Sequence, residues 1–286
     1  MSLIPTSNTA AEIAVQESVS LLLRDLVHER TGIHFDAERL DAMLEKLEPR
    51  ARARNCQSYL DYYYILKYDD SSDEEWRRVM DTFSVQETYF WREYDQIQAL
   101  VNIIVPEWFR RSVRPLCIWS AACASGEEPY SIAIALREAG WSDHPIEILA
   151  SDGSEAALAK AKACLYRERS FRNLPYPLRE KYFEARGESF FLRPEISSRV
   201  TFRWANLMKI DELSEAAKPD VIFCRNVFIY FSPDAIRNVV RSFAQRQSAG
   251  GHLFIGSSES LLKLSAQFEL REVGGSFAYV RNDLKA

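Results

Sequence analysis

Two adjacent carboxylates, Glu127 and Glu128, follow Gly126 in the stretch Trp119-Ser-Ala-Ala-Cys-Ala-Ser-Gly-Glu-Glu-Pro-Tyr-Ser131. The apolar run from Leu116 leads into small residues, a glycine and a helix-starting Pro129. This reads as strand, tight turn and helix N-terminus, the crevice where doubly wound α/β folds hold nucleotide-like ligands. A phosphate site would offer bare backbone N–H groups and often a lysine. Two carboxylates instead suit a ligand that carries positive charge, such as the sulfonium and ammonium of S-adenosylmethionine (SAM). Consecutive glutamates point to different sides of a helix start, so one can face the ligand while the other favours the dipole. Capping alone is the other reading of both.

Further polar groups recur at the ends of apolar runs. IEILASD ends in Asp152, about 25 residues beyond the glycine turn, the spacing of a ribose-binding acid. The same carboxylate could cap the helix from Ser154 onward. Asn206, in Trp204-Ala-Asn-Leu-Met208, can read an adenine edge or close an Asx-turn. The run Asp220–Cys224 ends in Arg225-Asn226, with Tyr230 about one helical turn later. Tyr230 and Phe231 could equally be core aromatics, and Phe231 fits that better. Gln86-Glu-Thr-Tyr-Phe-Trp-Arg92 joins aromatics to one arginine. Arg92 is either packing or a cation offered to an anionic substrate.

The elements that must position these groups fall into two textures. Before residue 115 no alternating strand pattern occurs. Residues 2–10 read as a disordered lead. Residues 11–31 are helically periodic and stop at Thr31-Gly32, a C-cap signal. Asp36 is expected to cap a second helix carrying Leu40, Met43, Leu44 and Leu47, which Pro49 ends or bends. Helices are expected over 56–68 and from about Asp73 to Phe83. Beyond 115, strand-like runs recur at 116–119, 146–151, 200–204, 221–224, 252–255 and 277–281, with helical patterns between most of them. This is the βαβ rhythm of a mostly parallel sheet. Between Cys164 and Val200 the spacing is too long for a simple connection, so a small inserted subdomain is expected there, with short antiparallel strands around 190–193.

The 286 residues, 47% hydrophobic and 12% aromatic, are globular values. No apolar run reaches membrane-spanning length and no signal-peptide pattern opens the chain. Five cysteines without a CxxC pair read as reduced thiols of a cytosolic protein. Four scattered histidines argue against a histidine metal site, and a net charge of −5 argues against general nucleic-acid binding. In residues 1–81, ten Lys/Arg stand against sixteen Asp/Glu. The run PRARAR, with Arg50, Arg52 and Arg54, is therefore only a local basic patch, or a solvated helix end that favours the dipole.

Together these segments resemble the chemotaxis protein-glutamate O-methyltransferase (CheR) family. The resemblance covers nearly the whole chain and rests on WSAACASGEEPYSIAIAL, ILASD, ANL, FCRNVFIYF and the late GSSES, all in family order. It implies an α/β protein: an N-terminal all-helical domain (1–83), a linker with a lead-in helix (84–114), and a doubly wound, Rossmann-like SAM-binding domain (115–286) with a small inserted β-subdomain at about 168–200. It implies methylation of chemoreceptor glutamates, with S-adenosylhomocysteine (SAH) as co-product, and no metal. Glu128 matches the holder of the methionyl amino group and Asp152 the ribose ligand. Asn206 and Leu207 match the adenine pocket, and Arg225 and Asn226 the next cofactor-contacting pair. Gln86, Thr88 and Arg92 match linker residues over the cofactor. Arg92 and Tyr230 match the pair that orients the substrate carboxylate, while Arg50, Arg52 and Arg54 match a receptor-contacting surface. Gln86 stands where the family often has Asn, and Trp91 where it has Phe. Some members dock their subdomain onto a peptide at the receptor's C-terminal tail through a longer glycine-containing loop. Here Glu184-Ala-Arg-Gly-Glu-Ser-Phe190 is short, so no dependence on a tethering pentapeptide is expected. The expected partner is the cytoplasmic domain of a methyl-accepting chemoreceptor, met by a cytoplasmic monomer without nucleic-acid or membrane insertion. The alternatives are a SAM-sensing regulatory module, or a methyltransferase for a different protein or a small molecule.

Overall fold

The computed structural model describes residues 17–70, 72–212 and 218–282. The expected disordered lead at 2–10 and the start of the first helix lie outside them. The chain divides into two compact units, Met1–Glu29 with Phe35–Phe83, and Arg30–His34 with Ser84–Ala286.

The first unit is helical: α1 Glu17–Thr31, a 3-10 turn at Ala37–Arg39, α2 Leu40–Ala53, α3 Tyr59–Tyr68 and α4 Ser72–Phe83. Leu23, Met43, Leu47, Tyr62, Leu66 and Val79 are fully buried and form its core. At α3, Ser58 and Asp61 form a reciprocal capping box, which satisfies two orphan donors. Two expectations need correction. Asp36 precedes the 3-10 turn rather than α2 and makes no side-chain cap bond. Of the two readings of Pro49, ending or bending α2, the first is overturned, since α2 continues to Ala53. Burial of Met43, Leu44, Leu47 and Ala51 along one face outweighs the single backbone bond a proline forfeits.

In the second unit, α5 Tyr94–Ala99, a π segment Leu100–Ile104 and α6 Val105–Arg111 run continuously into the sheet domain. There follow β1 Leu116–Ala121, α7 Glu127–Glu138, β2 Ile146–Asp152 and α8 Glu155–Ala163. The insertion comprises β3 Leu165–Arg167, a 3-10 turn, α9 Tyr176–Tyr182, β4 Phe183–Arg186 and β5 Ser189–Leu192. After the short α10 Pro194–Ser197 come β6 Val200–Trp204, β7 Val221–Phe223, α11 Pro233–Arg246, β8 His252–Phe254, β9 Phe268–Val273 and β10 Ser276–Arg281.

The main sheet has the order β6-β2-β1-β7-β8-β10-β9. The first five strands are parallel, and β10 runs antiparallel to both β8 and β9. From β1 the chain winds outward through β2 to β6, then returns to β7 and winds the other way. The switch point therefore lies between the carboxyl ends of β1 and β7, where such sheets bind ligands. Alternate side chains separate the two faces. Ile118 and Phe223 join α5–α8 in one core, whereas Trp119 and Ile222 pack with Val240 and Phe243 of α11. The insertion is a separate antiparallel sheet, β3-β5-β4. Its β4–β5 hairpin has a two-residue turn, Gly187-Glu188, with Gly187 at φ +62°, where glycine avoids the Cβ penalty.

Candidate functional site

The loop after β1 takes three left-handed residues in five positions: Ala122 (φ +58°), Ala124 (+47°) and Gly126 (+91°). A Cβ at Gly126 would lie 2.9 Å from the Cβ of Ala161 in α8, so this turn has no room for a side chain. The left-handed alanines cost on the order of 1 kcal/mol each, a strain offset by bonds to neighbouring strands. Cys123 N–H donates to Ser151 O (2.9 Å), and Ala124 N–H donates to Asp152 Oδ2 (2.8 Å).

The two glutamates diverge at the start of α7. Glu127 is 3% exposed and accepts from Ser125 Oγ (2.7 Å) and Ser170 Oγ (3.0 Å). Burial pushes its carboxyl above the ordinary value. Its partners belong to the loop and the insertion, so it braces the fold. Glu128 points to the switch point. One of its oxygens accepts from Ser120 Oγ (2.6 Å), the other from Arg225 Nε (2.6 Å). Both side chains of this ion pair are shielded, at 2% exposure for Arg225 and 11% for Glu128. Arg225 also donates through Nη1 to the carbonyls of Arg92 (2.9 Å) and Glu93 (3.2 Å). It thus fixes Glu128 and pins the backbone that carries Arg92.

Asp152 is 8% exposed, and its two oxygens accept from the N–H groups of Ala124 and Ser154, each at 2.8 Å. The helix cap at α8 comes instead from Ser154 Oγ, which accepts from Ala157 N–H. The carboxylate therefore anchors the glycine loop against the end of β2. Asn206 does close an Asx-type turn, its Oδ1 accepting from Met208 N–H (2.9 Å), and its Nδ2 donates to Arg30 O (2.7 Å). Leu207 is buried beside it and opens a 3-10 turn. Asn226 is left-handed (φ +59°), and its N–H donates to Glu259 Oε2 (2.9 Å).

The lead-in segment is pinned by Phe90 N–H to Ser170 O (2.9 Å) and Trp91 N–H to Ser131 Oγ (3.1 Å). Trp91 and Glu93, at φ +65° and +47°, fold the chain sharply around Arg92. The half-buried Arg92 donates to Glu87 O (2.9 Å), and its guanidinium lies 5.5 Å from the Tyr89 ring centre. Gln86 accepts from Lys160 Nζ (2.6 Å), and Thr88 is half-buried. Tyr230, also half-buried, ends a 3-10 turn that follows β7. The basic triplet belongs to the helical unit. There Arg50 forms a two-pronged bond to Glu75 (3.0 and 2.8 Å), whose side chain is 3% exposed. Arg54 lies 3.6 Å from the same carboxylate, and Arg52 pairs with Glu48 one turn earlier.

Several supporting residues carried no local sequence signal. Ser120 positions Glu128 from inside β1. Gln96 is 6% exposed and links Arg225 Nη1 (3.3 Å) to Ile255 O (2.8 Å). Glu259 accepts from the N–H groups of Asn226 and Gly256 (2.6 Å), joining the ends of β7 and β8. Glu93 accepts from Ser257 N–H (3.1 Å) and Asn226 Nδ2 (3.4 Å). For Glu259 the GSSES segment was the available clue.

Residues 86–275 match the family described as CheR methyltransferase, SAM binding domain, and residues 21–84 match its all-alpha domain. Chemotaxis protein methyltransferase 2 of Vibrio cholerae is 36% identical over 275 residues, 94% of this chain and 95% of that protein. Chemotaxis protein methyltransferase of Klebsiella aerogenes is 33% identical over 258 residues, covering 87% and 85%. A probable biofilm formation methyltransferase, WspC of Pseudomonas putida, is 30% identical over 260 residues, covering 90% of this chain and 60% of that one. The donor set fits SAM: a shielded carboxylate in the first turn of α7, another at the end of β2, and a glycine turn closed to any Cβ, but no lysine on the loop. The carboxylate oxygens of Glu128, which Arg225 holds in place, and of Asp152 are acceptors suited to an ammonium and a ribose diol. The chain belongs to the CheR methyltransferase family and is a SAM-dependent methyltransferase.

Proposed function

We propose that this protein methylates glutamate side chains on the cytoplasmic helical region of a chemoreceptor, and does so without a C-terminal pentapeptide tether. The observation that carries the reading is the Glu128–Arg225–Arg92 connection. One buried guanidinium bonds the carboxylate assigned to the donor's ammonium and the main chain of the arginine assigned to the acceptor. Glu128 holds the amino group, Asp152 the ribose diol, and Asn206 with Leu207 the adenine. Thr88 and Gln86 close the linker side. SAM, when bound, supplies a methyl group on a sulfonium, and its transfer to a carboxylate gives a methyl ester and SAH.

The chain's own residues act by placement. An acceptor glutamate, with an ordinary pKa of about 4.3, is already an anion at neutral pH. The forming O–C bond and the breaking C–S bond leave a neutral thioether and ester, so no proton moves and no general base is required. Arg92 and Tyr230 hold the non-attacking carboxylate oxygen, which leaves the other on the methyl axis with its nucleophilicity intact. Alignment of this kind contributes several kcal/mol.

The two-residue Gly187-Glu188 hairpin supports tether independence, because it leaves no longer loop on the insertion to clasp a peptide. For the helical unit, Arg52 is the member of the basic triplet whose ion pair is exposed, and it is the best placed to meet an acidic receptor helix. Cytoplasmic placement follows from that substrate, and among the described residues no helix is long and apolar enough to cross a membrane. The likeness to a biofilm-named methyltransferase favours a second reading, in which the receptor feeds a pathway other than motility.

The test is Arg92→Ala, assayed by methyl transfer to a receptor fragment and by calorimetric titration with SAH. The reading expects turnover to fall at least 100-fold while SAH affinity stays within a few-fold. Near-normal turnover would remove Arg92 from its role. Comparing fragments with and without the receptor's tail tests tether independence, which fails if label enters only the tailed fragment.

A further inference from the structure

We propose that the short segment Arg30–His34, the end of α1 and the turn that follows it, is a positioning element of the methyltransferase site. It fixes Asn206 through the Arg30 carbonyl and Tyr230 through the His34 N–H. The inference rests on the reading of Asn206 and Tyr230 given above. In sequence the segment lies within the helical domain, but structurally it belongs to the sheet-bearing unit.

Three contacts carry the argument. The Asn206 side chain has each end of its amide engaged, Oδ1 by Met208 N–H and Nδ2 by Arg30 O at 2.7 Å. Bonds at both ends define the amide plane and which way round it sits. Without the Arg30 carbonyl, the nitrogen end could swing. Next, Ile33 and Phe231 form an antiparallel bridge, and His34 N–H donates to Tyr230 O (2.8 Å). Tyr230 ends only a three-residue 3-10 turn, so this outside bond fixes the backbone from which its ring projects.

Gly32 sits between these two bonds, at φ +77°. A Cβ there would lie 2.7 Å from Phe231 Cε2 and 2.9 Å from Met208 Sδ. Those neighbours directly follow Tyr230 and flank Leu207. The glycine therefore lets one stretch of backbone close on the loops after β6 and β7 together. A side chain would push at least one of them away, and the left-handed φ adds strain of its own.

The two bonds make separable demands. His34→Pro removes the N–H that holds Tyr230, and the extended bridge at Ile33 is a conformation that a residue preceding proline favours. This variant is expected to lower kcat about 10-fold and leave SAH affinity within twofold. Gly32→Ala disturbs both loops and is expected to lower kcat at least 10-fold and SAH affinity at least fivefold. A simple loss of folding would lower the active fraction without changing the SAH dissociation constant of what remains. Tyr230→Phe serves as the control for the underlying reading. Unchanged turnover in Tyr230→Phe would sink the assignment of Tyr230 and the proposal with it. A slow Tyr230→Phe beside a His34→Pro of normal kcat would overturn the proposal alone. If one of the two segment variants does not fold, the other decides. Wild-type kcat and SAH affinity in a folded Gly32→Ala would overturn the proposal as well.

Discussion

Replacing Arg225 with methionine should expose how strongly the site depends on one buried ion pair. Arg225 and Glu128 are 2% and 11% exposed in their side chains and meet at 2.6 Å. Methionine keeps most of the aliphatic stem and removes the charge. Glu128 is then left as a shielded carboxylate with Ser120 as its remaining side-chain partner. Its escape is to take up a proton. For an ordinary glutamate this costs about 3.7 kcal/mol at pH 7 and about 1.6 kcal/mol at pH 5.5, at ~1.36 kcal/mol per pH unit. Those figures bound the charge part of the loss. The bonds to the Arg92 and Glu93 carbonyls add about 1 kcal/mol net, because water can replace part of them. Arg225→Met should therefore destabilise by at most about 4–5 kcal/mol at pH 7, a ceiling that falls by about 2 kcal/mol at pH 5.5. Glu128→Gln together with Arg225→Met should recover most of the charge part at pH 7, since no ion is left stranded. Urea unfolding followed by tryptophan fluorescence measures this well. Trp91, Trp108, Trp119, Trp141 and Trp204 all lie in the unit that carries the pair, and only Trp76 lies outside it. A loss below about 1 kcal/mol, or one that neither shrinks with acid nor is relieved by Glu128→Gln, would refute the reasoning.

Further perturbations separate binding from framework. Asp152→Ala removes the acceptor for the Ala124 and Ser154 N–H groups and the proposed ribose ligand, and calorimetry with SAH should record at least a 10-fold loss of affinity. Glu127→Gln should raise thermal stability relative to the parent at pH 7. Burial raises the folded-state pKa of Glu127, so the parent loses stability as pH rises from the ordinary glutamate value through that raised one. The advantage of glutamine should fade in acid, and an advantage constant from pH 4 to 8 would contradict the sign. In the helical unit, Arg50→Ala removes the two-pronged partner of the buried Glu75, which keeps Arg54 at 3.6 Å and the Tyr62 hydroxyl, and should cost about 2 kcal/mol, whereas Arg52→Ala breaks an exposed pair worth about 0.5 kcal/mol or less. Equal losses in the two unfolding curves would show that Arg50 is not structural. Salt-dependent receptor binding should weaken in Arg52→Ala without loss of fold.

Much of this architecture was legible because the physics is local. The parallel strands are apolar runs bounded by turns, and the loop after β1 announces itself through Gly126 and the following acids. Elements that depend on distant partners were not legible. β9 has a single buried residue, Phe268, and four exposed ones after it, so an edge strand of this kind lacks the alternation that marks a half-buried one. Pro49 misleads because a locally unfavourable residue is tolerated where tertiary burial dominates. Arg50 and Arg54 look like a surface patch until Glu75, about 20 to 25 residues away in the chain, proves to be buried beside them. In the site, the helix start shows that the two consecutive glutamates face different sides, while the choice of Glu128 over Glu127 comes from the family resemblance. Ser120, Gln96 and Glu259 act through side chains that meet only after the sheet has wound in both directions, and composition carries no trace of that meeting. Arg30–His34 straddles the end of a helical sequence pattern, and its membership of the other unit follows from contacts with residues about 175 to 200 positions away, the Asn206 amide and the Phe231 and Tyr230 backbone.

The most direct measurement is the transfer of labelled methyl from SAM to the cytoplasmic fragment of a chemoreceptor, followed by treatment with mild base. The account predicts incorporation on glutamates, release of the label as methanol, and loss of incorporation in Arg92→Ala despite retained SAH binding. Tight SAH binding with no base-labile methylation of any receptor fragment would contradict it.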